Sequence, residues 1–244
     1  MATASIQLQA HPVWNTPPTV PSPYPQAHEP PVIFNGHALA AHNNVEMTRD
    51  MLITVLNHLS LLLPQRFGHY AVRLVVHGGA CMLLHPSLHQ LAQQQKQKSP
   101  ASLLRTKTRD IDYIHRSFIK EMASFGVNDA AEKLRECVLH TAVQFNLGAD
   151  WVNSDPDVAL PMAYEFVFLL LFLADTDKIS SKNGGMYDPI YDASIQPNNI
   201  SLHTVYRSPN GMLTLISVTP YWSIALKLVR YTRWDPSDIC LLLR

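Results

Sequence analysis

Two short stretches carry residues whose types and spacing could do chemistry, Val75-Val76-His77-Gly78-Gly79-Ala80 and Arg109-Asp110-Ile111-Asp112-Tyr113-Ile114. The first reads as an apolar strand that ends on a glycine pair and runs into a helix. The second reads as a strand with carboxylates at i and i+2. Side chains two apart on a strand share a face, so Asp110 and Asp112 are expected to project together, with Ile111 facing the other way. Side-by-side carboxylates repel unless a proton or cation lies between them. Oxygen-only ligation suits Mg²⁺ better than zinc.

The elements that must position these groups follow from hydrophobic periodicity. Met51, Leu52, Val55, Leu56, Leu59, Leu62 and Leu63 recur at helical spacing, which predicts a helix over 45–63, capped by Asn43 or Asn44 and ended by Pro64. A strand over 72–76 leads to the glycine pair. A helix from about Ala80 follows, with a break at Pro86 and a polar end over 93–98. The acidic strand is expected over 108–114. A largely helical region spans 118–145, with Asn128 or Asp129 capping its second part and Gly148 after its end. Asp150-Trp151-Val152-Asn153 reads as a short strand. Strands over 201–207 and 213–218 flank a turn at Pro209-Asn210-Gly211. A helix over 221–231 is followed by one that begins at Asp235-Pro236, with Asp235 as N-cap and Asp238 as its capping-box partner.

Two regions stand apart. Residues 1–44 contain no Lys or Arg, one acid (Glu29) and eight of the 18 prolines, which predicts an extended or disordered tail. Residues 165–185 join a dense apolar run, Phe166 to Ala174, to the polar stretch Asp175 to Gly185. The run is shorter than the ~20 residues of a membrane span. A buried strand or helix is one reading. Another is an insertion whose composition resembles translated non-coding sequence.

Bulk composition narrows the function classes. Lys+Arg and Asp+Glu both count 19 in 244 residues, so no basic excess argues for nucleic-acid binding. Cys81, Cys137 and Cys240 follow no metal-ligand spacing. Met1–Ala10 has neither a basic nor an apolar leader region. Both features fit a reducing compartment, cytoplasmic or nuclear. The 12 histidines form no ligand-spaced cluster, and no nucleophile-elbow motif supports Ser/His/Asp catalysis.

In this order the motifs resemble the nucleotidyltransferase superfamily with the DNA polymerase β-like fold. The residues that carry the resemblance are Gly78-Gly79 after a strand, Arg109-Asp110-Ile111-Asp112 on the next strand, and the lead-in Arg105-Thr106-Lys107-Thr108. Ala225-Leu226-Lys227-Leu228-Val229-Arg230, followed by Asp235 and Asp238, looks like the closing motif of the abortive-infection toxin-like branch and related uncharacterised domains. Asp150-Trp151-Val152-Asn153 looks like a strand of that branch. The resemblance covers 45–244 apart from 165–185. It implies an α/β (α+β) fold, a mixed sheet flanked by helices with a helical C-terminal segment.

The resemblance also implies a site. Asp110 and Asp112 would bind Mg²⁺ or Mn²⁺, Gly78, Gly79 and Arg109 would contact the nucleotide, and Lys227 would support the nucleotide or phosphate. Asp235 and Asp238 belong to a motif of unassigned role. The expected activity is transfer of a nucleoside monophosphate from an NTP to a hydroxyl on a protein, RNA or small molecule, with no membrane partner. Many members carry a third carboxylate on a later strand, and Leu213–Val218 has none. Asp150, Asp155 and Asp157 are the candidates to replace it. The competing expectation is a degenerate domain that binds nucleotide or a protein. Taken singly, the residues have plainer readings: an exposed strand edge for the acid pair, a strand-to-helix turn for the glycines, a helix cap for Asp235, and a solvent-reaching chain for Lys227.

Overall fold

The computed structural model describes residues 29–98, 104–154, 163–164, 186–230 and 234–244. Within them the chain is mixed α/β, with nine helices around a five-stranded sheet. The expected tail over 1–44 is interrupted near its end by a hairpin of β1 (Val32–Phe34) and β2 (His37–Leu39). Its turn residues Asn35 and Gly36 both have positive φ, the conformation of a tight two-residue hairpin turn.

Helix α1 (Arg49–Phe67) follows the two-residue strand β3 (Met47–Thr48). Its cap is Thr48, whose Oγ1 accepts from the Met51 amide, and not Asn43 or Asn44. Leu52, Val55, Leu56, Leu59, Leu63 and Phe67 line its buried face. The helix does not stop at Pro64. Proline leaves the carbonyl four residues back without its helical donor. Here that carbonyl, on Ser60, accepts from the Asn210 side chain at 2.8 Å. A residue from a distant turn thus satisfies the bond that proline removes.

β4 (Val72–His77) is the middle of the large sheet. It leads into α2 (Gly78–Leu84), and after a break at His85 comes α3 (Pro86–Lys98). β5 (Lys107–Thr108) pairs with β3, antiparallel. β6 (Ile111–Tyr113) is followed by α4 (His115–Ser124), α5 (Ala130–Phe145) and β7 (Val152–Asn153). The expected strand over 108–114 is therefore two short strands, divided at Arg109 and Asp110. β8 (Ala163–Tyr164) pairs with β9 (Met186–Tyr187), so the chain on either side of 165–185 lies side by side. The expectations for 165–185 itself fall outside the described residues.

Then come α6 (Pro189–Ser194), α7 (Pro197–His203), β10 (Thr204–Arg207), β11 (Leu213–Ser217), α8 (Pro220–Arg230) and α9 (Asp235–Leu242). The large sheet has the order β10-β11-β4-β6-β7. β4 is parallel to β11 and antiparallel to β6, and β6 is parallel to β7. Alternation along β4 divides the interior. Val72, Leu74 and Val76 join Ile111, Tyr113, Leu213 and Leu215 in the main core with α1, α4 and α5. Val75 joins Val218, Ile190 and Tyr191 in a second cluster, against which Trp222 and Leu226 of α8 pack. Trp151 is fully buried, and its indole N–H donates to the Val138 carbonyl at 3.0 Å, tying the approach to β7 onto α5. No helix among the described residues is long and apolar enough to cross a membrane.

His85, at the α2–α3 break, and His203, at the end of α7, place ring nitrogens 3.3 Å apart. Burial lowers both pKa values from 6.5, and for His203 the neighbouring His85 adds to the effect. A lowered folded-state pKa means that the unfolded chain takes up more protons as pH falls below 6.5. This contact therefore stabilises the fold above that pH and loses its contribution on acidification. Urea midpoints are expected to fall between about pH 7 and about pH 5, more steeply for the native chain than for a His85→Gln/His203→Gln variant. Equal slopes would remove the pair as a source of acid sensitivity.

Candidate functional site

β4 and β6 place Asp112 opposite His77, one residue before the glycine pair. Asp112 is buried. Gly78 has φ +75°, and a Cβ there would stand 2.5 Å from Asp112 Oδ2. Glycine is thus required twice over, by backbone conformation and by the carboxylate in the space a side chain would fill. A Cβ on Gly79 would meet Arg105 Nη1 and Thr108 Oγ1, each at 2.8 Å. The glycine pair lets a carboxylate, a guanidinium and a hydroxyl close on one turn.

Asp110 precedes β6 rather than lying in it. Thr108 Oγ1 donates to its carbonyl at 3.2 Å and approaches Oδ1 at 3.4 Å. Asn43 fixes the same loop from outside, its side-chain amide donating to the Arg109 carbonyl while its Oδ1 accepts from the Gly148 amide. Asp150 Oδ1 in turn accepts from the Asn43 backbone. Asp110 and Asp112 line one cleft of about 530 Å³, together with Gly79, Arg105, Arg109 and Trp234. Arg109 is exposed at its edge. Lys107 is paired with Glu46 at 3.3 Å.

Lys227 is 5% exposed and is not among the residues lining the cleft. Its Nζ lies 2.7 Å from Asp238 Oδ2 and 3.3 Å from Asp235 Oδ1, and both carboxylates are 1% exposed. Arg105 Nε reaches the same Asp238 oxygen at 3.1 Å. Asp235 is the first residue of α9, and the cap position is Trp234. The expected cap and capping box are therefore replaced by a buried network of two cations and two anions that joins α8, α9 and the lead-in to the acid pair.

β7 runs parallel to β6 with Asn153 opposite Asp112, so an amide occupies the register position beside the acid. Asp150 is engaged by His42 and Asn43, and Asp155 and Asp157 lie outside the described residues. Among the described residues no group of three or more His, Cys, Asp or Glu is arranged to hold a metal ion. Two carboxylates beside a water-accessible cleft do suit Mg²⁺, which uses one or two carboxylates and completes its shell with water and phosphate. Cys81, behind the glycine turn, is buried. Burial pushes its thiol up to about 12, outweighing a contact with Ser217 and the charge of Lys227.

A second cleft of about 540 Å³ lies beyond β7. Two of its acids, Glu29 and Asp150, are engaged by His42, and it has no carboxylate pair on a strand. Sequence reading missed Asn43, assigned there to a helix cap, and Trp234, which periodicity does not mark. Compared with family models, curated proteins and solved structures, the chain matches none.

Removing one member of a buried ion network strands the others. Lys227→Met is expected to destabilise the fold by about 3–5 kcal/mol in chemical denaturation, and adding Asp235→Asn is expected to recover part of that. A loss below about 1 kcal/mol would show that the network carries no structural weight. Asn43→Ala removes the partners of the buried Gly148 amide and the part-buried Arg109 carbonyl and is expected to cost about 1–3 kcal/mol, read from the same denaturation curves.

Proposed function

We propose that the chain is a divalent-metal-dependent nucleotidyltransferase, which transfers a nucleoside monophosphate from an NTP to a hydroxyl of a protein, an RNA or a small molecule. The observation that carries this reading is the approach of Asp112 to the glycine turn, in a cleft that Asp110 and Arg109 also line. The acceptor oxygen bonds to the α-phosphorus, the bond to the bridging oxygen breaks, and pyrophosphate and a proton leave. Asp110 and Asp112 would hold Mg²⁺ or Mn²⁺, which when bound supplies charge neutralisation at the phosphates and a more acidic acceptor hydroxyl. Arg109 binds phosphate from the exposed edge, and Arg105 lies against the glycine turn. Catalysis then consists chiefly of positioning and charge stabilisation. Lys227 acts as a positioning residue by holding Asp238, and through it Arg105. Free, scattered cysteines support a cytoplasmic or nuclear location.

A second reading, a domain that binds nucleotide or a protein without turnover, is favoured by Asn153 opposite Asp112. The two separate in one experiment. Each labelled NTP is incubated with the protein, Mg²⁺ or Mn²⁺ and a lysate, beside an Asp110→Ala/Asp112→Ala variant. Labelled acceptor that disappears in the variant is expected. Transfer that survives in the variant would remove these residues from the site. Calorimetric binding of Mg-NTP with no transfer would establish the binder.

A further inference from the structure

We propose that Trp234 is the surface on which the base of the bound nucleotide stacks, an inference that rests on the nucleotide reading of the cleft. Among the described residues that line the cleft, Trp234 is the one aromatic side chain; its companions are polar, charged or glycine. A nucleotide presents a flat apolar base, and every base has a π-face that stacks on an aromatic ring.

The ring is held in place from two directions. Trp234 caps α9, and the next residue, Asp235, is bonded to Lys227 of α8. The Arg105 guanidinium lies over one face of the ring, 5.9 Å from its centroid, so the base is assigned to the opposite face. The same guanidinium stands 3.2 Å from where a Gly79 Cβ would be. One side chain therefore spans from the glycine turn, where phosphate is expected, to the ring, where the base is expected. Arg105 is itself fixed by Asp238 at 3.1 Å, so the spacing between the two ends of the cleft is set before ligand arrives. Stacking is tolerant of base identity, so the inferred substrate class is nucleoside triphosphates as a group rather than one base.

The test compares Mg-ATP with Mg-tripolyphosphate, which has the phosphates without base or sugar. Calorimetry on the full chain is expected to give tighter binding of ATP. Trp234→Ala is expected to weaken ATP by about tenfold and leave tripolyphosphate unchanged, and Trp234→Phe is expected to retain affinity for both. On the native chain, ATP is expected to quench tryptophan emission more than tripolyphosphate does, and Trp234→Phe is expected to abolish the difference. This readout does not depend on the alanine variant folding. Equal affinity of the native chain for the two ligands, or undiminished ATP binding by a folded Trp234→Ala, would overturn the stacking role while leaving a phosphate-metal site. Binding of neither ligand would overturn the nucleotide reading and this inference together.

Discussion

Asp235 and Asp238 are carboxylates taken almost wholly out of water, and the molecule is arranged so that two cations reach them. Burying an ion costs several kcal/mol even after relaxation. The attraction returned by Lys227 and Arg105 offsets that cost only while all four groups keep their places. Such a network adds little net stability over an apolar packing of the same volume. What it does supply is geometry. Lys227 fixes α8 against α9, Asp238 fixes Arg105, and Arg105 fixes the approach of the acid-bearing loop to the glycine turn.

Space, more than flexibility, explains the glycine pair. At Gly78 the missing side chain admits the Asp112 carboxylate, and at Gly79 it admits Arg105 and Thr108. Asp110 escapes the regular ladder because β6 begins one residue later. Its position is set by the Thr108 hydroxyl and by the hold of Asn43 on the preceding carbonyl, that of Arg109. The same sheet that aligns His77 with Asp112 aligns Asn153 on the other side. The electrostatic character of the site is therefore decided within three adjacent register positions.

The α/β class and the principal helices were legible because their signals are local. The face of α1 repeats every three or four residues, the break at Pro86 is covalent, and β4 is an apolar run ending in glycine. Readings failed where a distant residue changed the local outcome. Pro64 does not end α1 because Asn210 takes the orphaned carbonyl. Asp235 does not cap α9 because Lys227 claims it. The hairpin at Asn35-Gly36 had a local signal in that dipeptide, masked by the prolines around it. Asp110 and Asp112 meet at one cleft although Asp110 lies outside β6, so their meeting rests on the contacts of Thr108 and Asn43 rather than on strand alternation, and Trp234 reaches the same cleft through the packing of α9 on α8 and α3.

β4 gains its two neighbours at very different times during synthesis. β6 follows after two helices and the short strand β5, whereas β11, which pairs with β4 from Leu213↔Val72 to Ser217↔Val76, lies more than 130 residues further along the chain. At ribosomal speeds of about 5–20 residues per second, the apolar edge of β4 waits several seconds for its parallel partner. During that interval the nascent chain presents an open strand edge beside an unfinished core, the condition under which intermolecular pairing competes with folding. The topology that makes β4 the centre of the finished sheet also leaves one of its edges open until β11 has left the exit tunnel.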